Sequence, residues 1–147
     1  DGHQLRLATV WSHLLSYKQA LVAGQHKVDG AGNNLFGALP AWESSTSVNW
    51  RYQDWQAVLS GDFTSGYEQK VATQSSNPGL AAKVASNFQV NSQVSYQGFA
   101  NTTVALSVSN VFGRDPPFDP AAGSYYYDMT QYNLRGRVLS LSVSYQL

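Results

Sequence analysis

The chain has 147 residues, with nine basic and nine acidic side chains that balance to a net charge of zero. Charged residues make up 12% of the sequence, whereas an ordinary soluble domain has about 25%. This neutrality argues against a basic nucleic-acid-binding surface, and we expect no nucleic-acid partner. The absence of cysteine excludes disulfide bonds, thiol catalysis and cysteine metal sites.

A surface with so little charge would be poorly soluble in water. Yet the mean hydropathy is −0.29, and no apolar run approaches the ~20 residues of a transmembrane helix. This combination is typical of a membrane β-barrel, in which only every second residue faces lipid. Because the chain begins at Asp1 with no signal peptide, we expect a processed protein or the C-terminal part of a longer one.

Apolar and polar residues alternate with period two along six segments, and each segment is predicted to be a β-strand. In the first segment, Leu5 and Leu7 alternate with Arg6 and Ala8. The last segment has the clearest pattern, because its apolar residues alternate with serine from Leu139 onward. The six predicted strands span residues 4–19, 41–51, 54–68, 86–97, 102–111 and 137–147.

The polar parity carries the charges of Arg6, Lys18, Glu43, Arg51 and Asp62, whereas His13, which can be neutral, lies on the apolar parity. A charge that faces lipid at mid-membrane costs about 2–4 kcal/mol, so this distribution favours a lipid-facing apolar side. We expect the charged side chains to face the lumen of the barrel, where they pair with other protein charges more often than with substrate. The side chains expected in the lumen are Arg6, Lys18, Glu43 and Asp62.

The connections alternate between long and short, as in outer-membrane barrels with long extracellular loops and short periplasmic turns. Residues 20–40, 69–85 and 112–136 are long connections, whereas 52–53 and 98–101 are short. If the last strand runs toward the periplasm, strands 4–19, 54–68 and 102–111 run outward. Strands 41–51, 86–97 and 137–147 then run inward.

Aromatic residues lie near both ends of the apolar rows and predict two membrane-interface girdles. The spacing from Trp42 to Trp50 corresponds to about 20 Å of height, and that from Trp55 to Tyr67 to about 30 Å. These heights bracket an apolar band of about 25 Å. The alternative is the core of a soluble β-sandwich, but the opposite parity offers little apolar surface to pack. The predicted girdle residues are Tyr17, Trp42, Trp50, Trp55, Tyr67, Tyr96 and Tyr145.

The C-terminal third contains a recognisable pattern. Residues 110–118 read N-V-F-G-R-D-P-P-F, and a tyrosine-rich stretch, the segment Y-N-L-R-G-R at 132–137 and the last strand follow. This pattern resembles the C-terminus of TonB-dependent outer-membrane receptors. The resemblance extends over essentially the whole chain and is specific over residues 104–147. Two departures are Asn133-Leu134, where Asp-Pro is common, and Leu147, where the family usually has an aromatic residue.

The resemblance implies an all-β fold: a transmembrane antiparallel barrel of 22 strands, closed around a plug domain. Residues 1–147 would then be the C-terminal part of the barrel domain, strands 17–22, with the plug and the earlier strands outside this chain. The family binds a scarce nutrient, such as siderophore-iron, cobalamin, an oligosaccharide or a peptide, and imports it with energy transmitted by TonB.

The same resemblance implies a bacterial outer-membrane location. The implied partners are the rest of the barrel and its plug, the TonB complex through that plug, and outer-membrane lipid and lipopolysaccharide. The end of the last strand would act as a signal for barrel assembly. The residues of this signal are Leu141, Val143, Tyr145 and Leu147.

The tyrosine-rich loop offers the best candidate ligand surface, because rings and an acid in one outer loop suit a sugar, siderophore or peptide. The alternative is that these rings pack against neighbouring loops. Weaker candidates come from the two other long loops. The candidates are Tyr125, Tyr126, Tyr127, Asp128 and Tyr132, followed by Phe36, Tyr67 and Glu68.

No catalytic, cofactor or metal site is expected. The segment 29–34 vaguely resembles a calcium loop but lacks the terminal bidentate carboxylate. Pro116 and Pro117 are expected to end a strand rather than to contact a ligand. Two other functions stay open: a structural or adhesive barrel assembled from several chains without active transport, and a barrel hydrolase that uses His13. Ser12 lies on the face opposite His13, which argues against the hydrolase.

Overall fold

In the computed structural model, which describes residues 2–70, 83–132 and 134–146, the chain is an all-β protein built on one six-stranded antiparallel sheet. The strand order is β1-β4-β5-β8-β9-β10, and two small hairpins, β2-β3 and β6-β7, lie outside this sheet. The sheet strands are β1 (Gln4–His13), β4 (Trp42–Tyr52), β5 (Trp55–Thr64), β8 (Asn87–Phe99), β9 (Thr102–Ser109) and β10 (Val138–Tyr145). The hairpin strands are β2 (Lys18–Ala20), β3 (Lys27–Asp29), β6 (Tyr67–Glu68) and β7 (Lys83–Val84).

The register brings the predicted apolar parities into continuous rows across the sheet. One row crosses all six strands through Leu5, Trp50, Ala57, Val94, Leu106 and Leu141. The adjacent row on the opposite face consists of Arg6, Asn49, Val58, Gln93, Ser107 and Ser140. Because side chains alternate between faces, these rows define an apolar face and a polar face. The predicted division of the six strands into an apolar and a polar parity is therefore confirmed as two faces of one sheet.

The apolar face has no second layer packed on it within the described part of the chain. Leu7 is 67% exposed and Leu141 is 70% exposed, although both lie in the middle of their strands. A sheet in a water-soluble domain buries its apolar face against another layer. An exposed apolar surface of this extent indicates a partner that is itself apolar.

The sheet has a turn end and a loop end. Two short turns, at residues 53–54 and 100–101, lie at the turn end, where Gln53 and Asn101 adopt left-handed backbone conformations with φ of 49° and 56°. The three long connections leave the sheet at the opposite loop end. The alternation of long and short connections expected from the sequence is confirmed.

The prediction of one continuous strand over residues 4–19 is wrong in its second half. β1 ends at His13, and the chain then turns into the β2-β3 hairpin. The Asp29 carboxylate accepts a hydrogen bond from the backbone N–H of Tyr17 at 2.9 Å and thereby holds this turn. Lys18, expected on the polar face of the sheet, lies in the hairpin opposite Asp29 instead.

The predicted strand 54–68 is also divided, because β5 ends at Thr64 and Tyr67 begins the separate strand β6. A Cβ atom added to Gly66 would lie 2.3 Å from the backbone oxygen of Val84. Only glycine therefore allows the two segments to approach so closely. The other four strands differ from their predicted bounds by at most two residues, apart from Leu147, which lies outside the described residues.

No closed barrel is formed by the described residues, because β1 and β10 each have a hydrogen-bonded neighbour on one side only. The all-β antiparallel sheet is confirmed. In the described ranges, no helix is long and apolar enough to cross a membrane.

Candidate functional site

The second and third long connections meet in a small core at the loop end of the sheet, which we call the loop core. It consists of Tyr67, Gln69, Val84, Asp119 and Tyr127, all buried. This core is unusual because two of its five members are polar. It therefore depends on hydrogen bonds as much as on apolar contact.

Asp119 is the hub of the loop core. Its Oδ2 accepts a hydrogen bond from the Tyr67 hydroxyl at 2.6 Å, and its Oδ1 accepts hydrogen bonds from the Gln69 amide and from the backbone N–H of Ala121. The side chain is 3% exposed. Through these bonds the carboxylate joins two connections that are 50 residues apart in the sequence. Hydrogen bonds to a carboxylate are about twice as strong as bonds between neutral groups.

Backbone bonds attach the first connection to the same assembly. The backbone N–H of Asn34 donates to Glu68 O at 3.1 Å, and that of Glu68 donates to Gly32 O at 2.8 Å. The Asn34 side chain accepts from the N–H of Lys70 at 2.8 Å. The segment 65–70 thus links all three connections into one cap over the loop end.

Burial raises the pKa of the Tyr67 hydroxyl far above its ordinary value, and the hydrogen bond to Asp119 adds to the effect because it favours the protonated phenol. Burial likewise raises the pKa of Tyr132, with the nearby Asp128 charge as a further cause. Both tyrosines therefore stay neutral in the folded cap at pH values where an exposed tyrosine ionises.

The raised pKa of Tyr67 predicts that the cap is sensitive to alkali. The unfolded phenol ionises near pH 10, so the stabilisation is fully present below that pH and is lost as pH rises from there toward the folded pKa. The protection factors of the amides in residues 112–132, which are corrected for the base-catalysed rise in intrinsic exchange, should therefore fall above about pH 10. Tyr67→Phe should lower the stability of the cap by about 1.5–3 kcal/mol at neutral pH. It should also abolish the further loss of stability in alkali, because phenylalanine has no hydroxyl to ionise.

Tyr125→Phe is the matched control for this measurement, because the Tyr125 ring is 60% exposed. It should leave the exchange profile of the loop unchanged at every pH. An alkaline profile that is the same in the Tyr67→Phe protein and the wild type would contradict the assigned role of the Tyr67 hydroxyl.

The predicted ligand-binding residues fall into two groups. Tyr127 is 8% exposed and Tyr67 is 3% exposed, so both belong to the loop core. Tyr125 and Tyr126 are 60% and 54% exposed and lie on the outer surface of the cap. In the tyrosine-rich loop, one ring is therefore packed in the loop core and two are exposed at the surface.

The remaining candidates lie around these two groups. Asp128 and Tyr132 are half-buried, and Asp128 Oδ1 accepts bonds from the backbone N–H and the hydroxyl of Thr130, at 2.7 and 2.6 Å. Phe36 packs edge-on against Tyr17 with ring centroids 5.7 Å apart. Glu68 is exposed and lies opposite Lys83 in the β6-β7 hairpin.

Sequence reasoning missed Phe118, Gln69 and the role of Asp119. Phe118 stacks on Tyr126 with centroids 5.6 Å apart and an interplanar angle of 17°. Asp119 directly follows Phe118, and its backbone N–H donates to Tyr126 O at 2.7 Å. An acid followed by proline is a turn signal. The hydrogen-bond partners of Asp119 are distant in the chain, so they leave no local pattern in the sequence around it.

The polar face carries its charges in two separate zones. Glu43 and Asp62 lie toward the loop end, where Asp62 accepts a bond from the Ser45 hydroxyl at 2.7 Å. Arg6 and Arg51 lie toward the turn end and line a depression of about 440 Å³ together with polar side chains. The Arg51 guanidinium donates to Gln56 at 3.4 Å, and neither arginine forms an ion pair with a described residue.

Aromatic side chains mark both ends of the apolar face. At the turn end, Trp55 packs on Tyr96 with centroids 4.7 Å apart, and Trp50 lies in the neighbouring strand. At the loop end, His13 stacks on Trp42 with centroids 3.8 Å apart. Tyr145 lies opposite Thr102 at the turn end, whereas Tyr17 lies beyond the end of β1.

Asp29 organises the loop at 29–34, because its Oδ1 accepts hydrogen bonds from the backbone N–H groups of Tyr17 and Ala31 at 2.9 and 3.0 Å. Backbone hydrogen bonds from Tyr17 and Ala31 lower the pKa of the Asp29 carboxyl, because both donors favour its charged form. In the described part of the chain, no three acidic, histidine or cysteine side chains come together as a metal site.

Comparison with known proteins identifies no relative of this chain. No protein-family profile matches it, and neither a curated protein nor a solved structure matches it significantly. The resemblance to TonB-dependent receptors therefore rests on the sequence pattern described above.

Proposed function

We propose that this chain is the C-terminal part of the barrel of a TonB-dependent outer-membrane receptor, strands 17–22 of a 22-stranded plugged barrel, which imports a scarce nutrient. One observation carries the proposal: an apolar and a polar row each cross all six strands in register, and no described layer covers the apolar row. Lipid provides the missing apolar partner, and a water-filled or plugged lumen suits the polar face.

The two sheet edges support the same assignment. Backbone groups left without hydrogen bonds in lipid cost several kcal/mol each, so a membrane sheet must close on itself. β1 and β10 are the strands that would meet the rest of the barrel wall. The uncompensated Arg6 and Arg51 on the polar face fit a lumen that contains a carboxylate-bearing plug.

The first test is the location and folding of the complete protein in the bacterium. It should fractionate with the outer membrane, resist extraction by alkaline carbonate, and migrate faster on a denaturing gel before boiling than after it. These properties follow from a closed, lipid-embedded barrel. Recovery in the soluble fraction, with no change in migration on boiling, would contradict the proposal.

A second test separates transport from the structural or adhesive alternative. A receptor of this class has a plug in the same polypeptide or a co-purifying one, and ligand uptake by intact cells requires TonB. An adhesive barrel has neither property. A preparation without any plug-bearing polypeptide would favour the alternative.

A further inference from the structure

Two arginines come together at the loop end of the sheet, where β9 ends and β10 begins. Arg114 lies in the tight turn after β9, and Arg137 directly precedes β10. A guanidinium nitrogen of Arg137 is 3.6 Å from the position of a Cβ atom added to Gly113, so the Arg137 side chain lies against this turn. Both arginines are exposed, and we call them the arginine pair.

The turn that carries Arg114 is held rigidly by Asn110, which is 2% exposed. The Asn110 side chain accepts a hydrogen bond from the backbone N–H of Arg114 at 2.9 Å and donates one to the Arg114 carbonyl at 2.8 Å. The N–H of Gly113 donates to the Asn110 carbonyl at 2.8 Å. Because this backbone is fixed before a partner arrives, binding costs less conformational entropy.

Positive charge is in excess around the arginine pair. Arg135 adds a third exposed guanidinium, and Asp115 is the one acid in the turn after β9 and the stretch just before β10. The other acids of this connection are engaged elsewhere, since Asp119 is buried in the loop core and Asp128 bonds within its own turn. Among the described residues, no carboxylate forms an ion pair with the arginine pair. This surface therefore attracts an anion.

The position of Arg137 shows which side of the sheet the anion approaches from. The alternation of β10, continued by one residue, places Arg137 on the side of Leu139, which is 68% exposed on the apolar face. A ligand in the proposed lumen would meet the polar face instead. An arginine just beyond an apolar row keeps its stem in apolar surroundings while its guanidinium reaches the polar headgroups.

We propose that Arg114 and Arg137 bind the phosphate of an acidic lipid in the outer leaflet of the membrane. The inference rests on the proposed function, which places the apolar face in lipid and the loop end at the cell surface. A guanidinium matches the geometry of phosphate with two parallel hydrogen bonds. The contact fixes the base of the third connection to the membrane surface.

The test uses the complete protein, purified in detergent. Native mass spectrometry gives Kd for diphosphorylated and for fully dephosphorylated lipid A, and calorimetric titration gives Kd for inorganic phosphate. Diphosphorylated lipid A should bind about tenfold or more tightly than the dephosphorylated form, because charge attraction supplies the difference. Arg114→Gln and Arg137→Gln should each raise Kd for diphosphorylated lipid A about fivefold, the loss expected for one arginine at an anionic lipid surface. Arg137→Lys should have an intermediate Kd, because it keeps the charge but loses the paired hydrogen bonds.

Lys83→Gln is the matched control, since Lys83 is an exposed cation at the loop end but belongs to another connection. It should leave Kd unchanged. The inference is overturned if the two forms of lipid A bind equally well, or if the double variant Arg114→Gln, Arg137→Gln binds as tightly as the wild type. Binding of inorganic phosphate as tightly as the lipid would also overturn it, because the site would then serve a free anion.

Failure of this inference can be distinguished from failure of the proposed function. Outer-membrane fractionation and the gel shift on boiling are measured on the same preparations. If both are normal and the arginine variants bind lipid A like the wild type, only the lipid site is wrong. If the protein is soluble and does not shift on boiling, the proposed function fails, whatever the lipid measurements give.

Discussion

Leu106→Arg should prevent assembly of the barrel, whereas Ser107→Arg in the adjacent position should be tolerated. Leu106 lies in the apolar row between Val94 and Leu141, near the middle of the length of β9. An arginine facing lipid at that depth costs about 2–4 kcal/mol. Ser107 lies in the polar row between Gln93 and Ser140, so an arginine there extends into the proposed lumen.

The two variants are matched because they differ by one position in the same strand and introduce the same side chain. The measurements are the yield of heat-modifiable protein in the outer membrane and the denaturant midpoint after refolding into lipid vesicles. Ser107→Arg should change stability by no more than about 0.5 kcal/mol, as for a surface substitution. Equal behaviour of the two proteins would mean that the faces of the sheet do not have different environments.

The sheet could be predicted from the sequence because its signal is local and repeated. Period-two alternation identifies each strand, and the face that each residue occupies follows directly from parity. The left-handed Asn110, with φ of 52°, shows why strand ends are harder: its side chain bonds the backbone of Arg114 and ends β9 two residues early. Such a bond competes with the sheet without changing the alternation.

The cap over the loop end could not be predicted, because it depends on contacts between distant residues. The Tyr67 hydroxyl and the Asp119 carboxylate are 52 residues apart, and Asp119 lies outside every periodic segment. The sequence therefore showed where rings and acids are concentrated but not which of them are buried. Tyr125 and Tyr127 illustrate this, since they are two positions apart and only Tyr125 is exposed.

Because Tyr125 and Tyr126 are exposed whereas Tyr127 is buried, the rings of the tyrosine-rich loop have to be substituted one at a time. A triple Tyr125, Tyr126 and Tyr127 substitution would remove surface rings and a loop-core ring together. Tyr127→Ala alone should loosen the cap, because deleting a buried aromatic side chain typically costs about 3–5 kcal/mol. Ligand contact is therefore tested by single substitutions at exposed rings, and cap stability by substitutions in the loop core.

Removal of residues 140–147 should abolish assembly entirely. The deletion takes away most of β10, whose residues pair with β9 from Val138 to Tyr145. β9 would then have backbone N–H and C=O groups facing lipid, each costing several kcal/mol. The deletion also removes Leu141, Val143, Tyr145 and Leu147, the proposed assembly signal. The shortened protein should accumulate unfolded in the periplasm, where protease sensitivity and loss of the gel shift on boiling would reveal it.

A variant with the same composition tests whether assembly requires the alternating pattern of β10 or only the presence of the strand. Exchanging Leu141 with Ser142 and Val143 with Ser144 keeps every residue but turns the apolar side chains to the polar face. We expect this protein to fail as the deletion does, because Leu141 and Val143 would then lie on the polar side and serine would replace them in the middle of the apolar row. Exchanging Leu141 with Val143 keeps the phase and should assemble normally. Normal surface levels of the phase-inverted protein would show that β10 is recognised by composition alone, and the apolar row would then not be the assembly signal.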